Sequence, residues 1–152
     1  MNPDKKTVLL QKISQIVNEG TYQTIVSIMS PPEDEFDATI ESMNIVANNI
    51  STVSTMSLRD FVNWNIEGLK SGFEDFTMVQ PPKEITIDGK SVMTLVCTLR
   101  FPSDDSVTLK NLVVLMVNGN IVYVLTFGAV PETYSTYEPI FEKMLQSFRI
   151  SN

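Results

Sequence analysis

The stretch that decides the fold is LVVLMVNGNIVYVL, which runs from Leu112 to Leu125. Both halves are rich in apolar β-forming residues, and Asn118-Gly119-Asn120 separates them. A transmembrane helix extending to Val130 would bury two asparagines and a glycine in hydrocarbon, which is costly. A β-hairpin with a type I′ turn at Asn-Gly avoids this cost, because that pair tolerates positive φ angles. The sequence therefore predicts a hairpin and no integral membrane segment.

Both faces of this hairpin are apolar, whereas a sheet covered on one side alone would alternate apolar and polar residues. Helices must therefore cover each side of the sheet. The fold class predicted is α+β, an α/β/α sandwich in which a central antiparallel sheet is flanked by helices.

Three amphipathic helices are predicted. The first occupies residues 4–19 and carries on one face Leu9, Leu10, Ile13, Ile16 and Val17. The second runs from a Ser57–Asp60 capping box to Gly72. The third is expected to begin at a Ser135–Glu138 capping box, with Pro139 in its first turn.

The remaining apolar segments predict further strands at residues 22–29, 39–47, 76–79, 84–87 and 91–101. Pro81-Pro82 is expected to break the chain, since proline cannot donate to a β ladder. Asp88-Gly89 predicts a hairpin turn. No linker divides the chain, so residues 1–152 are expected to form one domain, with a helix at 1–20 and a sheet-and-helix core at 22–150.

Composition excludes several functional classes. The 152 residues carry 18 acidic and 11 basic side chains, a formal net charge of −7, which opposes binding to nucleic acid or anionic lipid. The chain has no histidine and one cysteine, so Ser-His-Asp catalysis, histidine metal sites and an intrachain disulfide are absent. No cofactor is expected.

The N-terminal apolar run, from Val8 to Leu10, is too short for the core of a signal peptide. The expected location is therefore extracytoplasmic if a leader has been removed, and otherwise cytoplasmic.

Two sets of residues are candidates for chemistry. The loop acids Glu33, Asp34, Glu35 and Asp37 offer oxygen ligands for a hard cation, but they lack the spacing of an EF-hand, and a solvated loop is the favoured interpretation. Cys97 lies inside a predicted strand with no basic neighbour before Arg100, which favours a buried structural cysteine over a reactive one.

Trp64 is the candidate partner-contacting residue. On the predicted helix it projects about 140° from the centre of the apolar stripe. Either the ring folds over a neighbouring loop, which is the favoured interpretation, or it is exposed and available to a partner.

Residues from about 36 to 150 resemble the PsbP-like superfamily, which includes the DcrB-type bacterial lipoproteins. The resemblance rests on a strand at 39–46, a helix starting SLRDFV at Ser57, the turn IDGK at 87–90, and NGNIVYVLT at 118–126. It continues with Tyr134, Tyr137, Phe141 and Gln146-Ser147-Phe148.

The resemblance implies an α/β/α sandwich and a largely non-enzymatic role, as in extrinsic photosystem subunits, envelope lipoproteins and binders of a small GTPase. The opening hairpin of that family is not visible, and the predicted helix at 4–19 stands in its place. No functional residue is carried over.

The leading hypothesis is a non-catalytic binding or accessory domain, engaged with an unknown protein partner in a cell-envelope or extrinsic complex. The alternatives are a small-ligand or cation-binding protein, or a carboxylate-based enzyme with no recognisable motif. The chain is expected to be a monomer or, if the first helix packs on a second copy, a homodimer.

Overall fold

The computed structural model of the chain describes residues 22–29, 41–50, 56–101 and 107–150, and for 22–29 it describes the backbone alone. In chain order the elements are β1 (Tyr22–Met29), β2 (Ser42–Asn49), α1 (Leu58–Gly72), β3 (Glu74–Ile87), β4 (Lys90–Arg100), β5 (Thr108–Asn118), β6 (Ile121–Ala129) and α2 (Pro131–Ser147). The predicted first helix and the acidic loop lie outside the described residues.

The six strands form one antiparallel sheet with the spatial order β1-β2-β6-β5-β4-β3. The central pair, β5 and β6, is the hairpin that the apolar stretch predicts. Because β1 and β3 are the two edges, only they have an unpaired side within this sheet.

Helices cover the two faces of the sheet, as the apolar hairpin predicts. Adjacent residues of β5 show this directly: Val113, Val114 and Leu115 are each no more than 2% exposed, although successive side chains of a strand point to opposite faces. Val113 and Leu115 pack in one core with α1, and Val114 packs in the other with α2. The α/β/α sandwich is therefore confirmed.

The two tight turns differ in conformation. Asn118 pairs with Ile121, so Gly119 and Asn120 are the central residues of that turn. Of these two, only Gly119 has a positive φ, +57°, which is the φ pattern of type II′ rather than the predicted type I′. At the other hairpin both central residues have positive φ, 52° at Asp88 and 74° at Gly89, as type I′ requires.

The prediction that Pro81-Pro82 breaks the chain is wrong. Strand β3 continues through both prolines from Glu74 to Ile87. The reason is its position at the edge of the sheet, where a missing N–H need not leave a ladder bond unmade. Pairing with β4 is nevertheless irregular here, with register shifts between Met78 and Gln80 and between Gln80 and Lys83.

The two helix starts have different outcomes. The Ser57–Asp60 capping box is confirmed: Asp60 N–H donates to Ser57 Oγ at 3.2 Å, and Ser57 N–H donates to Asp60 Oδ2 at 2.8 Å. The prediction of a Ser135–Glu138 capping box is wrong, because α2 begins one turn earlier, at Pro131. Pro131 occupies the first turn, where its fixed φ favours a helix start, and Pro139 lies inside the helix.

One strand boundary is also shifted. Strand β2 covers Ser42–Asn49, whereas residues 39–47 were expected, and Glu41 precedes the strand. Two pairs beyond the expected end join Asn48 and Asn49 to β6, so long-range pairing extends the strand.

Candidate functional site

The two helices are offset across the sheet. Helix α1 packs against β3, β4 and β5, whereas α2 packs against β5 and β6. Among the described residues, each face of the sheet is therefore left partly uncovered at one end: β6 and β2 on the α1 side, and β4 and β3 on the α2 side.

Strand β2 shows the consequence on the α1 side. Ile45 and Ala47, which face the α2 core, are each only 7% exposed. Asn44 on the opposite face is exposed, and Val46 and Asn48 are half-buried. A groove therefore runs between α1 and β2, with β5 and β6 as its floor.

This groove holds a cavity of about 260 Å³ whose described lining contains no charged side chain. Its apolar lining residues are Val46, Leu69, Phe73, Leu99, Phe101, Leu109, Val113 and Val124. Its polar surface consists of hydroxyls and carboxamides: Ser42, Asn44, Asn48, Asn65, Asn111 and Thr126. A charged ligand would therefore find no counter-charge in this described lining.

Trp64 lies at one end of the groove. It lines a second cavity of about 30 Å³, which shares Asn48, Asn65 and Val124 with the larger one. The Trp64 side chain is 65% exposed, so the structure agrees with the exposed interpretation and not with the ring folding over a loop. Its use by a partner remains a prediction.

A second aromatic side chain lies at the other end. Phe101 is 44% exposed and meets Phe73 edge-to-face, with ring centroids 5.1 Å apart and an interplanar angle of 84°. Trp64 and Phe73, the residue that directly follows α1, are nine positions apart, which corresponds to roughly 13 Å along the helix axis. Exposed aromatic rings therefore lie at both ends of the groove, and the distance between them is about the length of a short peptide.

Two carboxamides line the groove from within the fold. The Oδ1 atom of Asn65 is buried and has no hydrogen-bond partner among the described residues. Asn111 is only 4% exposed, and its Nδ2 donates to the Leu109 carbonyl at 3.5 Å, a long hydrogen bond. Both amides retain hydrogen-bonding capacity for a ligand.

These groove residues were not singled out from the sequence, although one signal was present. Asn44 and Asn48 alternate with the apolar residues Met43, Ile45 and Ala47 along β2. This period-two pattern marks a strand with one polar face. Asn111, Phe101 and Thr126 gave no such signal, because sheet pairing alone brings them to the groove.

The candidates for conventional chemistry do not form a site in the described residues. Cys97 is fully buried, and burial raises the pKa of its thiol to about 11, so it is a neutral structural thiol at pH 7. Within the described ranges, no three His, Cys, Asp or Glu side chains cluster to hold a metal ion. Glu33, Asp34, Glu35 and Asp37 lie outside those ranges.

No described helix combines the length and the hydropathy that crossing a membrane requires.

Comparisons with known proteins support the fold. No family model and no curated protein matches the chain. Among solved structures, PA94 from Pseudomonas aeruginosa, described as a candidate regulator of unknown function, matches with a TM-score of 0.65 and 14% identity, covering 88% of this chain and 85% of that one. The cyanobacterial PsbP (CyanoP) of Synechocystis sp. PCC 6803 matches with a TM-score of 0.57 and 13% identity, covering 87% and 83%. The resemblance read from the sequence is thus confirmed at the level of architecture: the chain has a PsbP-like fold.

Proposed function

We propose that this protein is a non-catalytic binding domain that holds an extended, uncharged segment of a partner protein in the groove between α1 and β2. The observation that carries the proposal is an uncharged, amide-lined groove with an exposed tryptophan at one end. The PsbP-like architecture supports an accessory role, and it agrees with the expectation of a cell-envelope or extrinsic complex.

The lining chemistry matches a peptide backbone. Carboxamides such as Asn44, Asn48 and Asn111 both donate and accept hydrogen bonds, as peptide groups do. The apolar floor, which includes Val113 and Val124, suits alternate apolar side chains of an extended segment. Trp64 supplies an aromatic anchor of the type that dominates binding energy at protein interfaces.

The experiment uses the full chain as bait for a displayed library of random peptides, followed by titration with the selected peptides. Because Trp64 is the only tryptophan, its fluorescence reports directly on the groove. We expect selected peptides to be rich in apolar and uncharged residues and to shift the Trp64 emission to the blue as water leaves the ring.

Matched variants locate the binding. Asn44→Arg places a charge in the groove, and Asn63→Arg places the same charge on the exposed side of α1, away from its lining. We expect Asn44→Arg to weaken binding about tenfold or more and Asn63→Arg to leave it unchanged. Selection of charged peptides, or equal effects of the two variants, would contradict the proposal. A dimer by light scattering that dissociates with Asn44→Arg would instead identify a second copy as the occupant.

A further inference from the structure

The α2 side of the sheet holds a separate cavity of about 370 Å³ between α2 and the β3–β4 edge. It lies on the opposite face of the sheet from the groove, over the end that α2 leaves uncovered. Its floor is apolar and formed by Ile85, Val96, Leu112 and Leu145.

Acidic side chains of α2 form one wall. Tyr134, Glu138 and Glu142 follow one another at four-residue intervals, which places them on one face of the helix. All three line the cavity. Two carboxylates at this spacing repel each other and destabilise the helix slightly, so a bound cation would relieve the repulsion.

The opposite wall comes from the edge strand. Gln80 and Lys83 flank Pro81-Pro82, where the pairing of β3 with β4 is irregular. The cavity therefore opens where the prolines interrupt the ladder. Against the two carboxylates, the described lining offers one ammonium, that of Lys83.

Glu138 and Glu142 form no close ion pair within the described part of the chain, and the Lys110 ammonium lies nearby, 4.3 Å from the centroid of the Tyr134 ring. The ion pairs found there join Lys70 to Glu67, Arg100 to Glu74 and Asp75, and Arg149 to Asp88. Glu138, Glu142 and Lys83 take part in none of them. The wall of α2 thus presents two carboxylates that have no direct ion-pair partner in the described structure.

The buried hydroxyl of Tyr134 is a second feature of this cavity, independent of the two carboxylates. The residue is only 1% exposed, and its hydroxyl has no hydrogen-bond partner among the described residues. A buried unsatisfied hydroxyl is costly, and native structures retain few of them. Burial first, and then the charges of Glu138 and Glu142, raise the pKa of Tyr134 to about 12, so the phenol stays neutral and can accept a hydrogen bond from a cation.

We propose that this cavity binds a small organic cation, a protonated primary amine carried on a short apolar chain. The ammonium group lies between Glu138 and Glu142 and donates to the Tyr134 hydroxyl, while the apolar chain covers Leu112 and Leu145. This ligand class satisfies the two carboxylates, the unpaired hydroxyl and the apolar floor together.

The test is a titration of the full-length, isotope-labelled chain with hexylammonium chloride, followed by amide NMR shifts. Hexanol and sodium hexanoate serve as probes of equal length that are neutral and anionic. We expect saturable shifts in α2, β3 and β4 with the amine, and binding about tenfold weaker or worse with either comparator. The Trp64 fluorescence should not change, because Trp64 lies on the other face of the sheet.

Variants distinguish the effect of the two carboxylate charges from a general effect on the fold. The double change Glu138→Gln and Glu142→Gln should weaken amine binding about tenfold or more, whereas Glu132→Gln, an exposed acid of the same helix outside the cavity, should not. Tyr134→Phe, which keeps the buried ring, should weaken it about three- to tenfold. Equal binding of all three probes, no saturable shifts at millimolar amine, or an unaffected double variant would overturn the proposal.

Discussion

Asn111 and Gly128 are cross-strand partners in β5 and β6, and the side chain of Asn111 fills the space that a Cβ at residue 128 would need. A Cβ built on Gly128 would lie 2.5 Å from Asn111 Oδ1, closer than real Cβ contacts allow. The glycine therefore permits a buried carboxamide beside the groove. Ser42 Oγ would lie 3.5 Å from the same position, so no free space remains on that side.

Gly128→Ala should lower the free energy of unfolding by about 1–3 kcal/mol, because the added methyl forces the amide or the backbone to move. Urea unfolding measures the change. Gly68→Ala is the matched control: no atom lies within 4 Å of its Cβ position, and α1 should gain about 0.5–1 kcal/mol from the better helix former. Adding Asn111→Ala to Gly128→Ala should recover part of the loss; no recovery would contradict this steric explanation.

Trp64→Ala should change the free energy of unfolding by less than about 1 kcal/mol, since the side chain is 65% exposed and buries little area. Phe61→Ala, on the same helix but 3% exposed, should cost about 3–5 kcal/mol. Chemical denaturation of both variants, followed by circular dichroism, provides the comparison. A large loss for Trp64→Ala would assign the ring to the core rather than to a partner surface.

Tyr134→Phe should raise the free energy of unfolding by about 1 kcal/mol, because it removes a buried hydroxyl that has no partner in the described structure while keeping the ring. The ring also contacts Phe141 and lies 4.3 Å below the Lys110 ammonium, and phenylalanine preserves both contacts. Thermal unfolding without added ligand is the measurement. A destabilised variant would show that the hydroxyl already has a partner in the free protein.

Alkaline pH should destabilise the fold through Cys97. Burial raises the pKa of its thiol from 9.0 in the unfolded chain to about 11 in the native state, so the native state retains the proton longer. The protonated thiol therefore contributes about 2–3 kcal/mol to the free energy of unfolding. This stabilisation is complete below pH 9 and is lost as the pH rises to about 11.

Cys97→Ala isolates this effect. The variant loses packing at every pH, but its disadvantage relative to the parent chain should narrow as pH rises above 9. Urea unfolding across this pH range provides the measurement. Ser91→Ala, at an exposed position, is the control, and its free energy of unfolding should depend on pH as that of the parent chain does. A constant difference between Cys97→Ala and the parent chain would show that the thiol does not titrate differently in the two states.

Several elements could be predicted because their causes are local. The Ser57–Asp60 capping box joins residues three positions apart, and the Asp88-Gly89 turn depends on the conformational freedom of two adjacent residues. The central hairpin was recognisable because β-forming residues occupy both faces around Gly119. The start of α2 was missed because the Ser135–Glu138 spacing imitates a cap, although Pro131 was a competing signal.

The candidate site was predictable only in part. Trp64 could be found because its angular position on α1 depends on helix geometry alone. The groove beside it could not, since it depends on the pairing of β2 with β6, which lie far apart in the sequence, and on the packing of α1 against β5.

The sequence by itself determined the element types and the need for helices on both sides of the apolar strands, because hydrophobic periodicity and turn chemistry act over a few residues. Only the tertiary structure decided that β3 is an edge strand that tolerates Pro81-Pro82, and that α1 and α2 are offset across the sheet. Those features depend on which distant strands pair and how the helices pack on them. The groove at Trp64 and the cavity at Tyr134 both follow from that offset.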